Sequence, residues 1–379
     1  MSFGSSSKEL DLIVSVGSGN VYGAVAELRK GAKPHILHTF ESKFPIKKTT
    51  DTEAIVAHML GAVHTTVTEL MSQNKSRIKT AHVVLASPWF SSATKILSDQ
   101  KAEPVTVTDK LLQSMADAYI QETFGGKSES SLQSSGLQSI ERSVFDIRLN
   151  GYDTEHPQGK TAQTIDLSVY VSVSPEVINK KIESELYTVV HPARIVFHTF
   201  PFVAQSALRS LFSEQNDFVL VDIGAEITDV VVVRRGSIHS LVSFPMGAHQ
   251  LVRSVAIHFE TEPELATSML ALYAKQVAEA DVQEKIKKLI TAFGEEWGIA
   301  FAQSLQEGKE HEHFIPQKAF FVSHPSMSNV FHDIISLHIS DTTPVTTEGL
   351  AQFVEHNPHE VPAAFAILEA LYMNSNFSS

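Results

Sequence analysis

The chain of 379 residues exceeds what one small hydrophobic core organises, and at roughly 150 residues per domain it predicts two or three domains. It is 43% hydrophobic and 19% charged, with a net charge of −13 and only scattered basic pairs, which argues against binding to nucleic acid or anionic lipid. Cysteine is absent, so disulfides, thiolate metal sites and a cysteine nucleophile are excluded. The sequence contains no apolar run of about 18 residues, so it predicts no membrane-spanning helix. The N-terminus lacks the apolar core of a secretory signal, so the sequence predicts a cytoplasmic protein without a direct membrane anchor.

The first ordered segment predicts three strands joined by tight turns. Apolar residues over 12–16 lead into the turn Gly17-Ser18-Gly19-Asn20, a second strand follows over 21–28, and a third is predicted over 35–40. Residues 51–72 then carry apolar positions at helical spacing, and the run over 81–87 is typical of a buried strand.

The next hundred residues differ in character. A Thr-capped helix is predicted over 108–124 and is followed by a Ser- and Gly-rich segment over 125–139. Two strands with alternating apolar residues are predicted over 143–151 and 163–174, and a second helix over 175–186. This pattern predicts a small α+β module. The Ser-rich segment 125–139 is predicted to be a mobile loop, either a docking segment or a passive linker. A strand over 194–202 then resumes the first lobe.

The opening pattern recurs later at one constant offset. Strands over 218–224, 230–234 and 238–244 repeat the meander, so that Ser15 aligns with Asp222 and Gly17 with Gly224. Helices and one short strand follow, over 247–259, 264–278, 281–305, 319–322 (strand), 325–337 and 362–374. The last helix is apolar on most faces and is predicted to lie inside the protein.

These elements predict an α/β protein with two duplicated lobes. Residues 1–10 are predicted to be a disordered tail, 11–87 and 190–212 lobe one, and 88–189 the inserted module. Residues 213–379 are predicted to form lobe two, with a helical subdomain at about 260–315.

Each meander begins with a strand, a glycine turn and small polar residues, which is the pattern of a phosphate-binding hairpin. The turn N–H groups can face an anion, and an Asp at the strand end can hold a water on Mg²⁺. Two such hairpins facing each other would clamp a nucleotide between the lobes, and the candidate binding residues are Gly17, Ser18, Gly19, Asp222, Gly224 and Thr228. The alternative is that the glycines serve only tight turns, and that Asp222 and Asp229 are turn residues.

The duplicated meander, the module and the segment 222–229 (DIGAEITD) resemble the actin-like ATPases, which have a duplicated ribonuclease H-like fold. The module looks like the SHS2 (1C) module of the bacterial cell-division protein FtsA and the pilus-assembly protein PilM. Further stretches similar to FtsA are 149–152 (LNGY), 197–208 (FHTFPFVAQSAL) and 244–248 (FPMGA). For such a protein the resemblance implies ATP and Mg²⁺ as ligands.

Several positions depart from the pattern that the family uses for nucleotide. Ser15 stands where the first hairpin has Asp, and a serine lacks the charge that organises Mg²⁺. Ala225 and Glu226 replace glycines of the second hairpin, and an inward Glu226 would repel a γ-phosphate. The ribose-binding acid and lysine align with Thr267 and Leu270, and the adenine-binding Gly-Gly turn aligns with His324-Pro325-Ser326. These departures predict that hydrolysis is lost and that no cofactor is needed, although ATP binding with Mg²⁺ stays open.

His311-Glu312-His313 offers side chains of metal-ligating type, but these residues stand in a charged run that is predicted to lie on the surface. With 18 histidines in the chain, chance explains the grouping better, and no metal site is predicted.

The resemblance implies a non-enzymatic scaffold for protein partners at the inner membrane face, either FtsA-like with the tubulin-like FtsZ and divisome proteins, or PilM-like in type IV pilus assembly. The chain shows no FtsA-type amphipathic tail, which favours a PilM-like arrangement, while the stretches 149–152 and 197–208 favour FtsA. Self-association is implied by the resemblance alone. The alternatives are a working ATPase that forms filaments and, last, a sugar or acetate kinase of the same superfamily.

Overall fold

The computed structural model describes residues 9–46, 52–123, 136–307 and 314–376. Most of the predicted N-terminal tail, most of the Ser-rich segment 125–139 and the His311–His313 group lie outside the described residues. β1 begins at Leu10, the last residue of the predicted tail.

Lobe one is built on a six-stranded sheet. In spatial order its strands are β15 (Glu355–His356), β3 (His35–Lys43), β2 (Asn20–Glu27), β1 (Leu10–Val16), β4 (Ile78–Leu85) and β9 (Arg194–Thr199). β1 pairs antiparallel with β2 and parallel with β4. It is almost continuously apolar because both faces of the sheet are covered, which is the usual pattern of a central parallel strand.

Lobe two repeats this arrangement in a five-stranded sheet. The order is β12 (Ser237–Phe244), β11 (Thr228–Arg234), β10 (Phe218–Ile223), β13 (Lys318–Val322) and β14 (Asp341–Pro344). β10 pairs antiparallel with β11 and parallel with β13, as β1 does with β2 and β4. The predicted duplication is therefore confirmed in both strand order and strand direction.

The inserted segment forms a separate antiparallel sheet. Its strands run in the order β5 (Ser91–Thr106), β8 (Thr161–Pro175), β6 (Leu137–Leu149) and β7 (Tyr152–Asp153), and α2 (Asp109–Thr123) packs on it. The core of the module is aliphatic, with Ile165, Leu167 and Val169 of β8 fully buried. The long strand β5 was missed in the sequence because its polar residues do not alternate cleanly.

The helices of lobe one are α1 (Thr52–Gln73), α3 (Glu176–Val189) and α4 (Phe200–Leu211). α3 was predicted as part of the module, yet it packs against α1, and its Ile182 and Leu186 lie in the core of lobe one. The predicted strand over 194–202 ends at Thr199. Phe200 begins α4, because Pro201 has no N–H to pair in a ladder but fits the first turn of a helix.

Lobe two carries α5 (Ala248–His258), α6 (Pro263–Ala274), α7 (Ala280–Glu307), α8 (Ser328–Ser336), the short α9 (Thr347–Leu350) and α10 (Ala364–Asn376). Trp297 and Phe301 of α7 stack on each other in the core of lobe two, and the Trp297 ring also contacts Phe331 of α8 and Phe244 of β12.

The end of the chain returns to lobe one, although the predicted second lobe runs to residue 379. β15 pairs with β3, and α10 packs against α4 and against β1 and β2. Ala366, Ile367 and Ala370 of α10 are fully buried in a hydrophobic cluster that both lobes share. In the described part of the chain, no helix is both long and apolar enough to cross a membrane.

Gly23 and Gly61 offer a matched test of the packing between β2 and α1. A Cβ at Gly23 would lie 2.5 Å from Leu70 Cδ1 and 2.6 Å from Thr66 Cγ2, whereas a Cβ at Gly61 meets no atom within 4 Å. We expect Gly23→Val to destabilise the protein by about 1–3 kcal/mol through overpacking. Gly61→Ala, in the exposed interior of α1, should stabilise it by about 0.5–1 kcal/mol. Urea unfolding measures both, and equal effects of the two variants would contradict the described packing.

Candidate functional site

The first hairpin joins β1 to β2 and is held by its own backbone. The Gly17 N–H donates to the Asn20 carbonyl over 3.0 Å, and the Gly17 carbonyl accepts from the Trp89 indole N–H over 2.7 Å. The Gly19 carbonyl accepts from the Phe44 N–H over 2.8 Å. Of the predicted phosphate ligands here, Gly17 is therefore engaged in structural hydrogen bonds.

The second hairpin joins β10 to β11 and rests on the start of α5. The Gly224 N–H donates to the Ile227 carbonyl over 2.9 Å, and the His249 N–H donates to the Ala225 carbonyl over 2.8 Å. A Cβ at Gly247 would lie 2.4 Å from the Ala225 carbonyl carbon, so glycine is required where the two segments cross.

The two hairpins touch each other directly. The Glu226 backbone N–H donates to Ser18 Oγ over 3.0 Å, and a Cβ on Gly19 would lie only 2.3 Å from Ala225 Cβ. Gly224 adjoins the same contact, because a Cβ there would lie 3.3 Å from Ser18 Oγ. The serine hydroxyl thus takes the N–H that a phosphate oxygen would accept. The structure brings Ser18, Gly19 and Gly224, three of the predicted binding residues, together where the two lobes touch.

The side chain of Glu226 is held by two basic groups of α5. Arg253 donates to its carboxylate with both terminal nitrogens, over 2.9 and 2.7 Å, and His249 Nδ1 lies 3.0 Å away. Burial alone would raise the pKa of Glu226, but hydrogen bonds from His249 and Arg253 lower it to about 2. The Glu226 carboxylate therefore stays ionised beside the hairpin, and the Arg253 guanidinium already balances its charge.

Beneath the hairpins lies a group of buried carboxyls. Glu369, from α10, is fully buried, and both of its carboxyl oxygens lie 2.5 Å from Ser15 Oγ. Burial raises the pKa of Glu369 to about 8, and the negative charge of Asp222 adds to the shift. Asp222 is only partly accessible to solvent, and burial together with Asp229 raises its pKa well above the ordinary value. Near neutral pH Glu369 is therefore expected to hold a proton.

Asp229 belongs to the same set of buried carboxyls and connects the two lobes. It lies opposite Asp222 in the β10–β11 ladder. Its carboxyl accepts from Ser87 of lobe one over 2.8 Å and from Ser243 of β12 over 2.6 Å. Burial raises the pKa of Asp229 to about 6, although these hydroxyl groups oppose the shift.

The remaining predicted positions serve the core or the backbone. Thr228 is fully buried, where its hydroxyl donates to the Met246 carbonyl over 2.7 Å and lies 3.3 Å from the Trp297 indole nitrogen. At the positions aligned with the ribose ligands, Thr267 donates to the Pro263 carbonyl of its own helix, and Leu270 is buried in the core. At the adenine position, His324 Nδ1 lies 2.8 Å from Ser326 Oγ and accepts from the Ser326 N–H.

This geometry does not fit a Mg·ATP cradle. The hairpins are joined by a hydrogen bond and a close contact, the Ser15 hydroxyl is bound to Glu369, and Leu270, which aligns with a ribose ligand, is buried in the core. No group of three or more His, Asp or Glu side chains within the described ranges is arranged to hold a metal ion.

Sequence reasoning missed Glu369, Arg253 and Ser87. Glu369 left a signal, since it is the single acidic residue in an otherwise apolar final helix. A buried charge in a core helix indicates a specific polar partner, which here is Ser15. Ser87 and Arg253 left no signal in the sequence, because their partners Asp229 and Glu226 lie far away along the chain.

No protein-family model matches the sequence, and no curated protein matches it significantly. Among solved structures, the chain resembles the PilM–PilN type IV pilus biogenesis complex with a TM-score of 0.68 and 13% identity, over 97% of this chain and 98% of that chain. It also aligns with the ethanolamine utilization protein EutJ from Carboxydothermus hydrogenoformans (TM-score 0.48, 13% identity, 96% and 89% coverage). MreB 5 of Spiroplasma citri bound to AMPPNP aligns at TM-score 0.47 and 9% identity, over 97% and 95%.

The chain has the actin-like ATPase fold, as its sequence predicts. The duplicated sheets and the likeness over almost all of both chains define this class. At 13% identity, the likeness to the PilM–PilN complex establishes the fold and leaves the function to the residues of the site.

Protonation of Glu369 is expected to make the stability of the folded protein depend on pH. Because its pKa is about 8 in the folded chain and near the ordinary value of 4.5 when unfolded, folding takes up a proton between these values. Stability from this group is therefore present at low pH and lost as the pH rises toward 8, by at most about 1.4 kcal/mol per pH unit. We expect Glu369→Gln to match the parent near pH 5 and to melt at a higher temperature than the parent at pH 8.

Differential scanning calorimetry at several pH values between 5 and 8.5 measures the effect. Glu264→Gln, on the exposed face of α6, is the control and should follow the parent throughout. A melting difference between Glu369→Gln and the parent that is constant across the pH range would contradict the proton assignment.

Proposed function

We propose that this protein is a catalytically inactive, actin-like scaffold that acts through protein contacts rather than through ATP turnover. The observation that carries the proposal is the direct closure of the two hairpins by Ser18, Glu226 and the Gly19–Ala225 contact. A nucleotide would have to break this hydrogen bond, separate the lobes and enter beside the Glu369–Asp222 pair. Its phosphates would find no free cationic partner in Arg253, which already pairs with Glu226.

We further propose a role like that of PilM in the PilM–PilN complex, at the cytoplasmic face of a membrane in a pilus-type assembly. The support is the structural similarity over 97% of this chain and 98% of that chain. In this proposal the chain holds a segment of a membrane-anchored partner, and self-association is a further property to be tested. A division role of the FtsA type is the alternative that the sequence stretches over 149–152 and 197–208 leave open.

Calorimetric titration with Mg·ATP tests the first proposal. We expect no heat of binding and no rise in melting temperature at millimolar ATP, because the closed hairpins leave no room for the phosphates. A micromolar dissociation constant that Asp222→Asn abolishes and Glu264→Gln preserves would contradict the scaffold proposal. It would identify a working nucleotide site at the second hairpin.

Deletion of the gene in the organism of origin tests the assembly role. We expect loss of surface pili and of pilus-driven motility with normal cell length, restored by a plasmid copy of the parent gene. Filamentous cells with intact pili would contradict the pilus role and favour a division scaffold.

A further inference from the structure

A buried row of ionisable side chains lies where the module meets lobe one, away from the two hairpins. It runs from Glu141 on β6 of the module to His198 on β9, and then to His82 on β4 and Asp11 on β1. None of these four side chains is more than 14% exposed. Because burial of a charge costs free energy, the number of protons on this row affects how firmly the module is held.

A β-bulge places Glu141 at this junction. The register of the β6–β8 ladder shifts between Ser139 and Arg142, so that Ile140 and Glu141 together lie opposite Ser172 alone. The Glu141 N–H donates to the Ser172 hydroxyl oxygen over 3.0 Å. Bulges re-aim side chains and are over-represented beside functional sites. Here the bulge accompanies a carboxyl group that leaves its own sheet and bonds to lobe one.

The Glu141 carboxyl joins the module to the end of β9. One carboxyl oxygen accepts from the Thr199 backbone N–H over 2.7 Å. The other accepts from the Thr199 hydroxyl over 2.6 Å and from the Ser172 hydroxyl over 2.5 Å. Two of these three donors are hydroxyl groups, which can turn and accept instead. The site can therefore hold the carboxyl either with or without a proton.

The two imidazoles limit how much positive charge the row can hold. His82 Nδ1 lies 3.3 Å from His198 Nε2, and the stacked rings are 5.5 Å apart. A hydrogen bond between two ring nitrogens needs one donor and one acceptor, whereas both nitrogens of a charged imidazole are donors. At most one of these histidines is therefore charged. Each has its own acid, since His82 Nε2 lies 3.7 Å from Asp11 and His198 Nδ1 lies 3.9 Å from Glu141.

Burial acts against charge on both members of the Glu141–His198 pair. It raises the pKa of Glu141 to about 7, although the hydroxyl and backbone hydrogen bonds oppose the shift. Burial also lowers the pKa of His198 to about 3, and the positive charges of His82 and Arg194 add to that shift. Both effects favour a pair without charges.

Tyrosines from two further elements pack around the pair. The Tyr372 ring of α10 meets the His198 ring edge-on with centroids 5.5 Å apart, and the Tyr170 hydroxyl of β8 lies 3.5 Å from the Thr199 hydroxyl. Burial raises the pKa of both tyrosines, that of Tyr372 to about 12, so both stay neutral near pH 7. The charge of the junction near neutral pH is therefore set by the histidines and the two acids.

We propose that Glu141 and His198 form a neutral latch between the module and lobe one, in which the single proton of the pair sits on the Glu141 carboxyl. In the unfolded chain the imidazole is the more basic group and holds this proton. Docking of the module thus moves the proton from an imidazole nitrogen to a carboxyl oxygen. When Glu141 loses the proton, an unbalanced negative charge is left at the junction, and the module loosens from lobe one. This inference does not depend on the proposed function.

Two single substitutions separate the two halves of the latch. Between pH 4.5 and 6.5, the ordinary pKa values of the two groups, the pair holds one proton both folded and unfolded and adds no pH dependence in the parent. In Glu141→Gln, the unfolded imidazole binds a proton that the folded one does not, so the variant should melt further below the parent as the pH falls from 6.5. In His198→Gln, the folded carboxyl keeps a proton that the unfolded one has lost, so the variant should melt further below the parent as the pH rises from 4.5 toward 7.

Differential scanning calorimetry measures both slopes, which should have opposite signs and amount to roughly 1–3 °C per pH unit. Glu264→Gln and His156→Gln, both at exposed positions, are the matched controls and should follow the parent. Melting differences that stay constant with pH for both Glu141→Gln and His198→Gln would overturn the proton assignment. Should His198→Gln fail to fold, the Glu141→Gln slope decides together with the infrared measurement.

Infrared spectroscopy detects the proton in the folded protein. A protonated carboxyl group has a carbonyl stretching band that an ionised carboxylate lacks. The difference spectrum between the parent and Glu141→Gln should show this band at pH 5.5 and lose it by pH 8.5, while Glu369 is present in both proteins and cancels. Absence of the band at pH 5.5 would show that Glu141 is ionised there, which overturns the proposal.

Spin labels test whether the latch holds the module. Because the chain contains no cysteine, the substitutions Glu155→Cys in the module and Lys75→Cys in lobe one, both at exposed positions, create two unique labelling sites. We expect a narrow distance distribution at pH 6 that broadens at pH 8.5. The added Glu141→Gln substitution should keep it narrow at both pH values, whereas Glu369→Gln should leave the broadening intact. A distribution that is the same at pH 6 and pH 8.5 would overturn the latch.

Discussion

The relation of the two lobes depends on how closely their hairpins approach. Since Gly19 has no side chain, Ala225 can lie against its backbone, and Ser18 can accept the N–H of Glu226. This approach also brings Ser87 of lobe one to Asp229 of lobe two. Around these bonds, α4 and α10 fill a hydrophobic cluster that both lobes share. Polar bonds and apolar packing therefore hold the two lobes together at their hairpins.

A second constraint is the charge balance beneath the hairpins. Three carboxyl groups lie close together, and ionising all of them in a poorly solvated interior would be costly. The chain meets this cost with hydroxyl donors and protons: Ser15 contacts Glu369, Ser87 and Ser243 contact Asp229, and burial raises the pKa of each acid. Serine at position 15 fits this arrangement, because an aspartate there would set another negative charge against Glu369.

The inserted module is tied to both lobes by polar contacts. On the side of lobe one, the buried Glu141 accepts from the backbone N–H and the hydroxyl of Thr199, over 2.7 and 2.6 Å. On the side of lobe two, Arg235 reaches Asp146 and Asp153.

The sequence by itself determined the duplicated meanders and the inserted module, because local periodicity, glycine turns and the offset between the repeats are properties of short stretches. It did not place α3 on lobe one or return α10 to it, since an apolar face predicts burial without naming the surface that covers it. It also could not join Ser15 to Glu369, or Ser18 to Glu226, which lie far apart along the chain. Only the tertiary structure decided that the hairpins touch, because that depends on the summed packing of both lobes to within an ångström.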